Sequence, residues 1–238
     1  MANETIIVYE IPVYIIITIT ASVLIGILIQ MLAHYLTKKR EKKKAFMQKY
    51  QEFYSNVITP ISIYMNIKTN PHKYHDVYEN VIESDLLDIT ISHLEKNIKH
   101  ASPQLLKVYE DYMATEYYQT GRGIKRDVYK HSLVYFMISD LIKTSKGMSI
   151  YTSEDKRKLK RLKYYYGLCA IALEYFEMED VERILLIEGF FGAKIKYDDF
   201  DEVMLSLQHE KSRNIILNHI NSLDTKNKQN FDDLLNLI

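Results

Sequence analysis

Tryptophan is absent from these 238 residues, and there is one cysteine, with seven glycines and four prolines. A single thiol, Cys169, excludes an internal disulfide and suits a reducing compartment. So few turn formers exclude an all-β chain built from many short hairpins. Sequence signatures of catalysis are missing too. There is no phosphate-cradling glycine loop, no His-Glu-x-x-His helix, no paired zinc cysteines, no nucleophile elbow and no calcium loop. Charge is missing altogether from residues 11–33, and that gap is the strongest positive signal in the chain.

As a helix, these 23 residues span about 35 Å, against a bilayer hydrocarbon core of about 30 Å. Thr18, Thr20 and Ser22 can bond back to their own helix, which leaves Gln30 as the main polar cost. Lys38, Lys39, Arg40, Lys42, Lys43 and Lys44 follow directly, whereas Glu4 and Glu10 precede the run. Basic flanks stay in the cytoplasm, so the N-terminus is expected outside and the rest of the chain inside. A cleaved signal peptide needs a basic start, a shorter apolar run and small residues at the cut, and none is evident. The expected organisation is residues 1–37 as external N-terminus and membrane helix, and 38–70 as basic collar and juxtamembrane helix. Residues 71–238 follow as an all-helical cytosolic domain.

The helical reading rests on periodicity. Phe46, Tyr50, Phe53, Val57, Ile61 and Tyr64 recur at steps of three and four. Pro60 is expected to bend that helix. Ser84 is a candidate cap for a helix carrying Leu87, Ile91, Leu94 and Ile98. Ser102-Pro103 reads as N-cap plus first helical residue, with Gly121 ending that helix. Residues 124–146 form the next, stopped by Gly147. Ser153 opens a helix with the seam Leu159, Leu162, Tyr166, Cys169 and Leu173. Further helices are expected over 181–191, 200–207, 211–223 and 231–238. The fold class is therefore all-α: one transmembrane helix and a bundle of roughly six to eight others.

Basic and acidic residues balance at 31 each, but they are segregated. Residues 121–163 hold twelve Lys/Arg and four Asp/Glu; residues 174–202 hold ten Asp/Glu and three Lys/Arg. Within the basic block, Lys156, Arg157, Lys158, Lys160, Arg161 and Lys163 surround an apolar seam, and Tyr164, Tyr165 and Tyr166 follow. Arg122, Lys125 and Arg126 precede them. Cations track phosphates and adjacent aromatic rings stack on unpaired bases, so this block suggests single-stranded nucleic acid. The anionic inner leaflet and an ordinary solvated helix face are the other readings. The candidate nucleic-acid contacts are Arg122, Lys125, Arg126, Lys156, Arg157, Lys160, Arg161, Lys163 and Tyr164.

His72 and His75 lie one helical turn apart but lack a third ligand, so no metal and no cofactor are implied. Cys169 sits in the apolar seam as an inert thiol. The run from Asp198 to Glu202 reads as an acidic first turn favoured by the helix dipole. Two other spacings point to chemistry. Arg126-Asp127 precedes His131, and Arg213-Asn214 precedes His219. This arrangement resembles the Arg-x4–6-His signature of HEPN ribonucleases, whose members are all-helical, dimeric and metal-independent. The resemblance implies a His handling the proton of a ribose hydroxyl and an Arg holding the phosphate, with Asp127 or Asn214 as the polar residue after the arginine. The layout as a whole resembles membrane-anchored abortive-infection proteins of low-GC Gram-positive bacteria. That implies phage defence, with the bilayer, single-stranded nucleic acid, a second copy of the chain, or a phage or host protein as partner. A plain membrane scaffold for a protein partner is the third reading.

Overall fold

The computed structural model describes residues 12–117, 125–191, 200–206 and 209–221. Among them every regular element is helical, and no strand occurs. Two compact units divide between Met47 and Gln48. Residues 48–70 of the expected juxtamembrane segment therefore join the larger unit.

The smaller unit contains most of α1, Val13–Lys49. The apolar side chains of residues 16–36 are exposed along it, Leu28 at 64% and Met31 at 66%. The Thr18, Thr20 and Ser22 hydroxyls donate to the carbonyls four residues back, at 2.7–2.8 Å. Polar groups are thus closed off within the helix while its apolar faces stay uncovered. The helical stretch Tyr14–Lys68 is long and apolar enough to cross a membrane, with a peak mean hydropathy of 2.5.

The larger unit begins with a π-helical turn, Tyr50–Tyr54, and α2, Ser55–Lys68, which carries Pro60. Phe53, Val57, Ile61 and Tyr64 are all buried, as their spacing predicts. The π turn was not legible in that spacing. It inserts one residue per turn and lies just ahead of the proline, whose ring opposes the carbonyl four residues back. After α3 (Lys73–Asp76), α4 (Glu83–Lys96) begins one residue before Ser84, with Ile82 as N-cap and no side-chain cap. The Ser102 hydroxyl accepts from the Leu105 amide at 3.2 Å and caps α5, Pro103–Ala114. That helix ends before Gly121, which lies outside the described residues.

At the centre stands α6, Arg126–Thr144, with eleven buried residues, among them the continuous run His131–Ile138. It packs chiefly against α5 and α7 (Ser153–Ala172). Gly147, at φ 80°, ends the α6 region in a conformation that glycine adopts without penalty. The cap of α7 is Thr152 rather than Ser153, in a reciprocal box with Asp155. Gly167 sits against two aromatic side chains. A Cβ there would lie 2.5 Å from Phe200 and 2.9 Å from Tyr135, so only a bare backbone fits. Three helices complete the described unit: α8 (Met178–Phe191), α9 (Phe200–Ser206) and α10 (His209–Asn221). The helix expected over 231–238 lies outside the described residues.

Candidate phosphate-binding cleft

The end of α6 and the start of α7 carry opposed lysines. The turn through Gly147 reverses the chain, so Lys143 and Lys146 come to line the same cleft as Lys156, Lys160 and Lys163. The cleft has a volume of about 710 Å3. Gln104 of α5, Phe136, Ser139 and Asp140 of α6, Leu159 of α7 and Asp201 of α9 complete much of its wall.

The five lysines are not equivalent. Lys163 donates to Asp201 at 2.7 Å and lies 4.7 Å from the Tyr135 ring centroid. Tyr135 also donates to the same Asp201 oxygen. Partial burial works to raise the Asp201 carboxyl, yet these two hydrogen bonds outweigh it and hold the group below its ordinary value. Lys163 is thereby neutralised and fixed. Lys143, Lys146, Lys156 and Lys160, by contrast, form no ion pair among the described residues. Asp140 lines the wall, but no ion pair joins it to them. Its Oδ2 and the Ser139 Oγ are buried without a hydrogen-bond partner among the described residues. Four ammonium groups without an ion pair around one concavity make the cleft a candidate anion site.

Other cations of the basic block are engaged elsewhere. Lys158 pairs with Glu154 at 2.9 Å, and Arg161 donates to the Tyr165 hydroxyl at 2.7 and 3.0 Å. Lys125 pairs with Glu177. Arg157 is exposed, and Arg122 lies outside the described residues. Tyr164 requires a correction: it is only 4% exposed, with its ring 5.6 Å from Phe200 and 5.8 Å from Tyr165. Tyr165 and Tyr166 are buried as well, so all three side chains are core and none offers a face to a base. Lys143, Lys146 and Gln104 also line the cleft, and the sequence reading does not single them out. Their signal was the count of basic residues in 121–163 together with Gly147 as a chain reversal.

The two Arg/His arrangements are placed as follows. Arg126 donates to the Tyr112 hydroxyl at 2.8 Å, pairs with Glu116, and stacks over the Tyr112 ring at 4.8 Å. His131 is 1% exposed. Its Nδ1 lies 2.7 Å from the Asp127 carbonyl, which can only accept, so Nδ1 carries the proton. Nε2 therefore accepts from the Tyr64 hydroxyl at 3.0 Å. Burial pushes this imidazole down to about 4, against the opposing pull of the Asp127 carbonyl. The structure brings Arg126 and His131 to different partners, and the histidine is a neutral core group with both nitrogens occupied. Arg213 and Asn214 are exposed on α10, while the His219 side chain lies outside the described residues. Burial pushes the Cys169 thiol up, away from the reactive thiolate. Among the described residues no group of three or more His, Cys, Asp or Glu is arranged to hold a metal.

Known protein families, curated proteins and solved structures show no match to this chain. The cleft and the apolar helix therefore carry the functional reading by their own chemistry.

Proposed function

We propose that this chain is a single-pass membrane protein whose larger unit faces the cytoplasm and binds single-stranded nucleic acid, in the service of phage defence. The observation that carries the binding is the group of four unpaired lysines around the cleft between α6 and α7. Phosphate oxygens complement such a group, and counterion release makes the binding favourable and salt-dependent. With Tyr164–Tyr166 in the core, recognition runs through the phosphate backbone and not through base stacking. The membrane part is supported by the uncovered apolar helix and the exposed basic collar of residues 38–44. The defence role is supported by the resemblance in layout to membrane-anchored abortive-infection proteins.

The test uses the full chain in nanodiscs of phosphatidylcholine, a neutral lipid that does not compete for the lysines. Its affinity for a fluorescent single-stranded oligonucleotide is expected to fall steeply with salt. Charge removal in the variant K143Q/K146Q/K156Q/K160Q should reduce the slope of log affinity against log salt by roughly 2–3. An unchanged slope in that variant would take the binding away from the cleft. In cells, the same variant is expected to lose protection against phage at an unchanged membrane level.

A further inference from the structure

The free cations of this domain are arranged compactly. Lys156 and Lys160 are four residues apart on α7 and share a helix face, while Lys143 lies in the last turn of α6 and Lys146 in the turn that follows it. The two pairs line one cleft. Of the neighbouring cations, Lys158 is bound by Glu154, Arg161 by Tyr165 and, within the cleft, Lys163 by Asp201, while Arg157 is exposed. A long strand laid across the surface would use a line of free charges running on beyond the cleft. The available charge instead converges on a space of about 710 Å3, within the range of pockets for single small molecules.

Building on the phosphate-binding reading above, we infer that the cleft takes a nucleoside 5′-triphosphate group, either as a free nucleotide or as the 5′ end of an RNA. Three linked phosphates concentrate negative charge as the two lysine pairs concentrate positive charge. The rest of the wall suits the nucleoside. Phe136, Ile142 and Leu159 supply apolar surface for a flat base, and the exposed Gln104 supplies hydrogen-bonding groups for its edge or for the ribose. A helix C-terminus accounts for Lys143 through the dipole, but it does not account for Lys156 and Lys160 on the facing helix.

The experiment compares three probes on the full chain in phosphatidylcholine nanodiscs. They are an RNA of about ten nucleotides with a 5′-triphosphate, the same RNA with a 5′-hydroxyl, and ATP as competitor. The triphosphate RNA is expected to bind at least about tenfold more tightly than the 5′-hydroxyl form at about 0.15 M salt. The variant K156Q/K160Q should erase that difference, whereas K96Q/K107Q, with the same change in charge away from the cleft, should retain it. All four lysines are exposed and make no ion pair among the described residues, so folding is expected to be unaffected. Displacement by ATP assigns the site to free nucleotides; retention of the RNA against ATP assigns it to RNA ends. Equal binding of the two RNAs overturns this inference and leaves nucleic-acid binding at the cleft standing. A triphosphate preference that survives in K156Q/K160Q also overturns it. Binding of ATP alone, with neither RNA retained, upholds the nucleotide cleft and rejects the single-stranded nucleic-acid reading.

Discussion

His131 shows how a residue type associated with catalysis serves a helical core. Its ring joins α6 to α2 through the Tyr64 hydroxyl, and it lies 5.7 Å from the Tyr64 ring and 5.8 Å from the Tyr166 ring. Replacement by alanine leaves that hydroxyl without its acceptor and opens a void, so a loss of roughly 2–4 kcal/mol is expected. A pH dependence distinguishes this role from a solvent-accessible base. The folded chain takes up the His131 proton only near pH 4, whereas an unperturbed histidine does so near 6.5. Between those values the unfolded chain binds the proton and the folded chain refuses it. The contribution is thus complete above pH 6.5 and declines with acidification, by about 3 kcal/mol in total. Urea unfolding of wild type and His131→Gln from pH 7 to pH 4.5 measures this as a difference in slope, with the steeper acid loss in wild type. Parallel curves would mean that His131 titrates normally and is open to solvent.

At the scale of elements, α2, α3, α4 and α8 are joined by one compact ion cluster. Lys68 lies 2.5 Å from both Glu83 and Glu182, and Lys73 lies 2.5 Å from Glu182. Burial opposes the charge on Lys68, but the two carboxylates outweigh it and hold the group above its usual value. Burial likewise opposes ionisation of Glu182, and the two lysines hold it below the usual carboxylate range. Lys68→Met would leave two carboxylates facing each other with only Lys73 between them. A loss of about 3–5 kcal/mol is expected, with partial recovery in Lys68→Met/Glu182→Gln. Because the Glu182 carboxyl is depressed, its contribution is complete above pH 4.5 and is lost as the pH falls below that value. Thermal melts of the two variants at pH 7 check this, and equal melting temperatures in wild type and Lys68→Met would remove the cluster from the account of stability. None of this was legible in the sequence, because Lys68 and Glu182 are 114 residues apart and their charges look like ordinary surface residues. Local chemistry was legible: Ser102-Pro103, Gly147 and the seam through Leu159, Tyr166 and Cys169 carry their own caps and period. The start of α4 at Glu83, with Ile82 as N-cap and no side-chain cap, was not legible from Ser84. The burial of Tyr164 and Tyr165 beside the seam residue Tyr166 is not legible for a related reason. Three consecutive helical residues are all buried only when neighbours cover a wide arc, here including Tyr135 and Phe200, and periodicity does not report neighbours.

For the whole molecule, segregated charge has two uses that sequence alone could not separate. Part of the basic block meets the acidic block directly, at Lys163 with Asp201 and at Lys125 with Glu177. Lys143, Lys146, Lys156 and Lys160 line the cleft. The basic run at residues 38–44 belongs to neither use, since it is exposed along α1 immediately after the apolar stretch. In the proposed topology its role is orientation: an arginine or lysine crossing the hydrocarbon during insertion costs about 2.5–3.5 kcal/mol at the centre of the span, so six of them together would hold their side in the cytoplasm. The acidic N-terminal flank adds little opposing information, because Asp and Glu contribute weakly to that bias. A tag after Ile238 is therefore expected to resist protease in intact cells, and a tag ahead of Thr5 to be cleaved. Changing the six basic residues to glutamine should produce a mixed population, with a fraction of C-terminal tags becoming accessible. Cleavage of the C-terminal tag from outside in the unaltered chain would reverse the topology. The lysine cleft would then face a compartment without cytosolic nucleotides or RNA, so both the proposed function and the triphosphate site depend on this orientation.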